Sequence, residues 1–506
     1  MIDIRTRGSG LLLHLASLPS GYGIGDMGPR AYQFIDNLRK AHQIYWQILP
    51  LTPVEPSRNI SPYNSTSVFA GNRLLISPEL LLKEGFIEKL KPKPDFRKGA
   101  IDFQKASSYR DTLFEEAFKK MRQEGYPEGY RNFSEENDYW LEDYAFFEAL
   151  RGHFGRKVEW NRWPDSVRDR DDAVLNEMKN RLIDDIDREK FIQFLFHRQW
   201  KRLKQHCNEN SVQIIGDMAI YVHLDSVDVW MNPEIFKLDN EKKPLYVSGV
   251  PPDYFSDTGQ LWGNPVYRWD VMKKNNFRWW MNRIRRNLEL YDILRIDHFR
   301  GFSQYWEVDA SEKTAIDGKW RDVPKYEFFD SIFKRFPNAT LIAEDLGVIT
   351  PDVREMMYNY NLPGLKVLMF AFDENMSDSP YIPHNIPRNS VVYPGTHDNN
   401  TIRGWYEMET DRNIRDRISR YFGIRVTKNN VNRTILRASL SAPANTSIVA
   451  VQDLLGLGEE ARMNDPSSKE GNWKWMMTEE DWDLLVRKHL NRFAEMTRIY
   501  GRAKGC

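Results

Sequence analysis

Ile214-Ile215-Gly216-Asp217, Leu294-Arg295-Ile296-Asp297, Leu341-Ile342-Ala343-Glu344 and Val392-Tyr393-Pro394-Gly395-Thr396-His397-Asp398 are built alike: a short apolar run leading to an acid. Runs of this length and composition read as strands buried on both faces. With the remaining apolar runs they give eight candidate strands, at 11–14, 45–49, 213–217, 293–297, 341–344, 365–370, 391–393 and 447–451. Helical patterns lie between most of them. Residues 30–41 place Tyr32, Phe34, Ile35 and Leu38 along one stripe, and Thr350-Pro351 starts another helix. Strands alternating with helices imply a parallel sheet, and eight such units imply a closed (β/α)₈ barrel, an α/β fold. Side chains at the carboxyl ends of barrel strands converge on the mouth, where this fold keeps its chemistry.

Two spacings break the regularity. About 130 residues, 54–186, intervene after the second strand and carry amphipathic segments near 109–123 and 135–151. That is too long for a loop and predicts a mainly helical inserted subdomain. A second insertion, 218–290, contains Val250-Pro251-Pro252-Asp253-Tyr254-Phe255 and Gln260-Leu261-Trp262-Gly263-Asn264-Pro265. Its glycines and prolines predict an ordered, loop-rich segment over the barrel mouth. The whole chain, 1–506, reads as one catalytic barrel domain.

Composition narrows the function classes. Lys+Arg and Asp+Glu both number 72, a balance that argues against nucleic acid as a partner. The two cysteines, Cys207 and Cys506, offer no framework of disulfides and no Cys-x-x-Cys metal spacing. No Gly-rich phosphate loop, His/Cys cluster or acidic calcium loop is legible, so no cofactor and no metal are expected. The first residues are charged where a signal peptide needs an apolar core, and no run is long enough to span a bilayer. A cytoplasmic protein without a membrane partner, monomer or homodimer, is the expectation.

The acids then point to glycosidic-bond chemistry, which needs one carboxyl group to protonate the leaving oxygen and a second opposite it. Asp297 and Glu344 end neighbouring strands, which lie about 4.7–4.9 Å apart, so a retaining separation is reasonable. Asp297 is the expected nucleophile and Glu344 the acid/base. Arg295 shares a strand face with Asp297 and is expected to depress its pKa, with Asp217 orienting Arg295. Asp345 and the nucleophile are expected to raise Glu344. Asp398, beside His397, is placed to hold sugar hydroxyls in the transition state. Taken singly, each acid could equally serve a structural ion pair or, at Asp398, a helix cap.

Leu294-Arg295-Ile296-Asp297-His298-Phe299-Arg300-Gly301, Ala343-Glu344-Asp345-Leu346-Gly347 and Gly395-Thr396-His397-Asp398-Asn399 resemble the amylomaltases, the 4-α-glucanotransferases related to α-amylases. The resemblance runs from Arg7-Gly8-Ser9-Gly10 through Ser61-Pro62-Tyr63 to Arg462-Met463-Asn464-Asp465-Pro466 and Gly471-Asn472-Trp473-Lys474-Trp475. In ordinary α-amylases a histidine follows the nucleophile by four positions; here His298 follows Asp297 at once. The resemblance implies transfer of α-1,4-glucan segments between malto-oligosaccharides, glucose and other α-1,4-glucans. It implies a covalent intermediate on Asp297, with Tyr63 and Trp262 as sugar platforms and Gln260 and Asn464 as hydrogen-bonding partners. Two departures border that region: Pro466-Ser467-Ser468 stands where the family has Pro-Gly-Thr, and Met476 where arginine is common. A retaining α-glucan hydrolase using the same residues, and a non-catalytic glucan binder, remain as alternatives.

Overall fold

The computed structural model describes residues 4–56, 60–252, 256–468 and 470–503. Among them twelve strands form: β1 (Gly8–Leu12), β2 (Tyr45–Gln47), β3 (Gln213–Met218), β4 (Tyr246–Val250), β5 (Gln260–Pro265), β6 (Ile293–Ile296), β7 (Gln304–Asp309), β8 (Gly318–Asp322), β9 (Leu341–Ala343), β10 (Gly364–Val367), β11 (Ser390–Tyr393) and β12 (Thr446–Ala450). Eight of them close a parallel barrel in the order β1-β2-β3-β6-β9-β10-β11-β12, with β12 pairing back onto β1. All eight barrel strands expected from the sequence are present, within a few residues at their ends. The strands β1, β2, β3, β6, β9 and β11 are buried throughout, the reason their sequences are apolar runs rather than alternations.

The helix Pro29–Lys40 starts with proline in its first turn and buries Ala31, Phe34, Ile35 and Leu38 against the barrel. Between β2 and β3 the chain makes the helices Phe103–Glu124, Asp138–Phe154 and Asp172–Arg181, then returns along Ile183–Glu209. The side chain of Asp102 caps the first of these by accepting the Lys105 N–H at 3.3 Å. This insertion is helical, as its periodicity implies.

The second insertion differs from its expectation. It is not merely loop: β4 and β5 pair antiparallel and join β7 and β8 in a four-stranded sheet ordered β5-β4-β7-β8. Half of that sheet comes from 304–322, beyond the 218–290 boundary. The alternation in Gln304-Tyr305-Trp306-Glu307-Val308-Asp309, with Tyr305 and Glu307 buried, is the strand signal that extends the sheet past that boundary. Cross-strand hydrogen bonds satisfy the backbone that glycine and proline leave free to bend. The helix Arg278–Leu290, also inside 218–290, is the barrel's own connection to β6. Asp253, Tyr254 and Phe255 of the expected loop, and Cys506, lie outside the described residues. Cys207 is buried as a free thiol.

The seam between β1 and β12 is held from the far end of the chain. The buried Arg502 guanidinium donates to the carbonyls of Gly8 (2.8 Å), Leu440 (2.7 Å), Ala442 (3.0 Å) and Ala444 (3.0 Å). Arg7 adds bonds to Ala442 and Ala444. Among the described residues no helix is long and apolar enough to cross a membrane.

Candidate active site

Register brings the acids together. Ile296 pairs with Ala343, so Asp297 and Glu344 are the next residues on adjacent strands. The ladder continues past both strands: Glu344 N donates to Ile296 O at 3.0 Å and Asp297 N to Met218 O at 3.0 Å. Asp217 pairs with Arg295 on the other side. Gly216 before it has no room for a side chain, since a Cβ would lie 2.1 Å from the Tyr291 ring.

Arg295 is the hub. Its Nη1 donates to Asp217 Oδ1 and Oδ2 at 2.7 and 2.6 Å and stands 3.0 Å from Asp297 Oδ1. Arg295 and Asp217 are buried, while the Asp297 side chain keeps 26% of its surface accessible. Burial pushes Asp297 well above the ordinary carboxylate range, Arg295 pulls it down, and Asp217, Glu344 and Asp398 push it up again. Arg295 thus lowers Asp297, as expected, but desolvation and three acids outweigh that one shared cation. Glu344 is also raised, by burial first, with Asp345 a lesser cause.

Glu344 is held by two backbone donors that the sequence did not announce, Leu346 N at 2.9 Å and His298 N at 2.7 Å. His298 reaches that position with φ of 47°, a left-handed conformation costly for any side chain with a Cβ. Asp345 faces elsewhere, accepting Leu365 N (2.6 Å) and Lys366 Nζ (3.0 Å).

A second arm comes from the β11 end. Tyr63 OH donates to Asp217 Oδ2 at 2.9 Å and so accepts from His397 Nε2 at 2.7 Å, which fixes the proton of His397 on Nε2. His397 is held below its usual pKa by burial, against the pull of Asp398. Its Nε2 also lies 3.3 Å from Asp398 Oδ2, and Asn464 Nδ2 donates to Asp398 Oδ1 at 2.7 Å. The stack is closed by Trp473, 5.6 Å from the Tyr63 ring and 6.0 Å from His397. Trp473 itself adopts φ of 64°, and in the sequence only its place in Gly471-Asn472-Trp473-Lys474-Trp475 marks it.

The structure thus unites Tyr63, Asp217, Arg295, Asp297, Glu344, His397, Asp398 and Asn464. Trp262, exposed on β5, reaches the group through an edge contact with His298 at 4.8 Å. Gln260 accepts the Trp262 indole N–H at 3.2 Å and makes no hydrogen bond to the carboxylates. The Ser467-Ser468 departure forms a turn capped by Asp465, which accepts Ser467 N at 3.0 Å, and Asn472 ties that turn to the Trp473 segment. Among the described residues no group of three or more His, Cys, Asp or Glu side chains is arranged to hold a metal ion.

Comparison with known proteins places the chain in a family. Residues 13–481 match the family model described as 4-alpha-glucanotransferase, glycoside hydrolase family 77. The 4-alpha-glucanotransferase of Aquifex aeolicus is 42% identical over 98% of this chain and 99% of its own. That of Thermus thermophilus is 43% identical over 97% and 99%. Among solved structures, the amylomaltase from Streptococcus agalactiae in complex with acarbose superposes with a TM-score of 0.92 at 39% identity, covering 98% of this chain and 99% of its own. The chain belongs to the 4-alpha-glucanotransferase family, the amylomaltases, and is an enzyme that transfers glucan segments.

Proposed function

We propose that the enzyme works by a retaining double displacement on α-1,4-glucans. Asp297 attacks the anomeric carbon of the donor while Glu344 protonates the departing 4-oxygen, leaving a glucosyl ester on Asp297. The 4-hydroxyl of an acceptor glucose or glucan enters, Glu344 takes its proton, and the ester bond breaks to restore an α-1,4 link. The observation that carries this reading is the adjacency of Asp297 and Glu344, each one residue beyond the paired Ile296 and Ala343.

The ionisation state fits the chemistry. Burial raises both carboxyls, so the pair retains one proton more readily than two solvated acids would. Arg295, in contact with Asp297, favours leaving the charge on the nucleophile. Asp398, anchored by Asn464, and His397 hold the sugar hydroxyls as the ring flattens. Tyr63 forms the floor of the donor side. Trp262 flanks the acceptor side, with Gln260 setting its indole.

Transfer must outcompete water. Water exceeds a millimolar acceptor by roughly 10⁴–10⁵, so equal fluxes already require about 6 kcal/mol of preferential transition-state stabilisation. Stacking on Trp262 and exclusion of water by the β4–β5 hairpin are the sources we assign. We treat 1–506 as one catalytic unit, with 54–186 and 218–290 as insertions that wall the cleft. Malto-oligosaccharides and glucose are the substrates this reading names.

Incubation with maltotriose tests it. A ladder of longer glucans plus glucose, at nearly constant reducing ends, is expected. Rising reducing ends without longer products would identify a hydrolase instead.

A further inference from the structure

The turn after β6 grips the loop after β9 at successive points. His298 N donates to Glu344 Oε2 at 2.7 Å and Phe299 N to Glu344 O at 3.1 Å. Farther along, Arg300 Nη1 donates to Val348 O, and Ser303 Oγ to Asp352 Oδ2 in the first turn of the helix Pro351–Asn359. Leu346 N, the second donor to the Glu344 carboxyl at 2.9 Å, lies between the two carbonyls that the turn holds. Beyond it the loop has little else to fix it. Gly347 takes φ of 80° with open space where a side chain would stand, and Val348 is 66% exposed. Among the described residues the backbone of Gly347 and Val348 makes no hydrogen bond other than the one from Arg300.

Arg300 is an unusual group for that task. Among the described residues it forms no ion pair, and Asp352, the acid that acts on it, already pairs with Lys325 at 3.0 Å. A half-buried cation without a counter-ion is costly, and here an aromatic face takes the place of the acid. The Arg300 Cζ stands 3.9 Å from the centroid of Trp320 on β8. Trp320 packs in turn on Trp306 of β7 at 5.1 Å, whose indole N–H donates to Ala315 O at 2.9 Å. The inserted sheet therefore meets this turn twice, through Trp262 against His298 and through Trp320 against Arg300.

We propose that Arg300, braced by Trp320, is a positioning residue for the acid/base: by holding Val348 O it keeps the Leu346 N–H aimed at Glu344 Oε1 while that carboxyl gives and retakes its proton. This rests on the assignment of Glu344 made above. It also gives the β7–β8 half of the inserted sheet a part in the reaction, separate from the acceptor-side part assigned to Trp262.

Two donors that differ only in their need for a proton test it. The 4-oxygen of maltotriose leaves with a proton from Glu344, whereas α-maltotriosyl fluoride expels fluoride ion and needs none. Arg300→Met should lower kcat/KM for maltotriose by about 10- to 100-fold and change that for fluoride release by no more than about twofold, with the maltotriose loss in kcat rather than KM. Arg300→Lys, which keeps a donor and a cation over the ring, should recover part of the maltotriose rate. Retained fluoride release also reports that the variants fold. If Arg300→Met releases no fluoride, Trp320→Leu, which removes the brace alone, decides by the same ratio. Equal loss on both donors in Trp320→Leu, or an undiminished maltotriose rate in Arg300→Met, overturns the proposal. Glu344→Gln is run beside them. If it shows the donor split and the Arg300 and Trp320 variants do not, the positioning role alone fails; if it lacks the split, the acid/base assignment fails and the proposal falls with it.

Discussion

Arg295 Nη1 donates to both carboxylate oxygens of Asp217, at 2.7 and 2.6 Å, with both side chains buried at the carboxyl ends of adjacent strands. The same nitrogen faces Asp297, so one guanidinium serves a fully buried acid and the proposed nucleophile.

Breaking that pair is therefore expected to cost both fold and chemistry. Asp217→Ala should lower stability by about 3–5 kcal/mol, because it leaves a buried cation with a single, partly exposed partner. Thermal unfolding alongside wild type measures it; a change below about 1 kcal/mol would contradict the buried-pair argument.

Arg295→Met removes the lowering influence on both Asp297 and Glu344. Their pKa values rise, so the pH below which the proposed nucleophile is protonated moves up. The acid limb of the kcat/KM profile should shift to higher pH, and a limb that stays in place excludes Arg295 as its cause.

Asp297→Asn should abolish transfer, and Glu344→Gln should reduce it by about 10²–10⁴, the usual range for a general acid. Asn464→Ala removes a bond to an ionised acceptor, at 2.7 Å from Asp398, and should lower kcat by about 10- to 100-fold with a smaller effect on KM. Full activity in Asp297→Asn would remove the mechanism.

Trp262→Ala should leave donor cleavage largely intact and weaken acceptor capture. Reducing-end release per bond cleaved is expected to rise severalfold over wild type. An unchanged ratio would take Trp262 out of the acceptor side.

Asp453 supplies a test on an acid outside the Asp297–Glu344 pair. It is buried, accepts Ile402 N at 2.7 Å, and its carboxyl is pushed up to about 7 by burial. The folded state thus binds this proton more tightly than the unfolded chain, so stability falls as pH rises from about 4 to about 7. Asp453→Asn keeps an acceptor for Ile402 without the charge. It should raise the unfolding free energy at pH 8 by an amount on the order of 2–4 kcal/mol, seen as a higher Tm, and do little at pH 4.

The barrel was legible because fully buried parallel strands leave an unmistakable trace, short apolar runs such as Ile293–Ile296 separated by helical stripes. The acids were legible because each ends such a run. Less visible was the sheet of β4, β5, β7 and β8, since two of its strands lie on the far side of a barrel strand and only pairing across β6 reveals them. The net upward push on Asp297 was also hidden. One neighbouring arginine can be read from a sequence, but desolvation and the convergence of Asp217, Glu344 and Asp398 depend on three-dimensional closure. The grip of His298 N and Leu346 N on Glu344 involves backbone groups, which every residue possesses and no motif advertises.

The Arg502 clasp bears on how the chain matures as it is made. A nascent barrel emerges from the ribosome with β1 first, yet β1 finds its second neighbour only when β12 appears, and the guanidinium that locks both arrives 52 residues after Ala450. Until β12 has been made, β1 has an unpaired edge and the enclosed interior is open along one side. Sealing is thus a single late event with very high contact order. Chains stopped short of Arg502 would carry every acid of the candidate site and still present an open edge to aggregation and proteolysis.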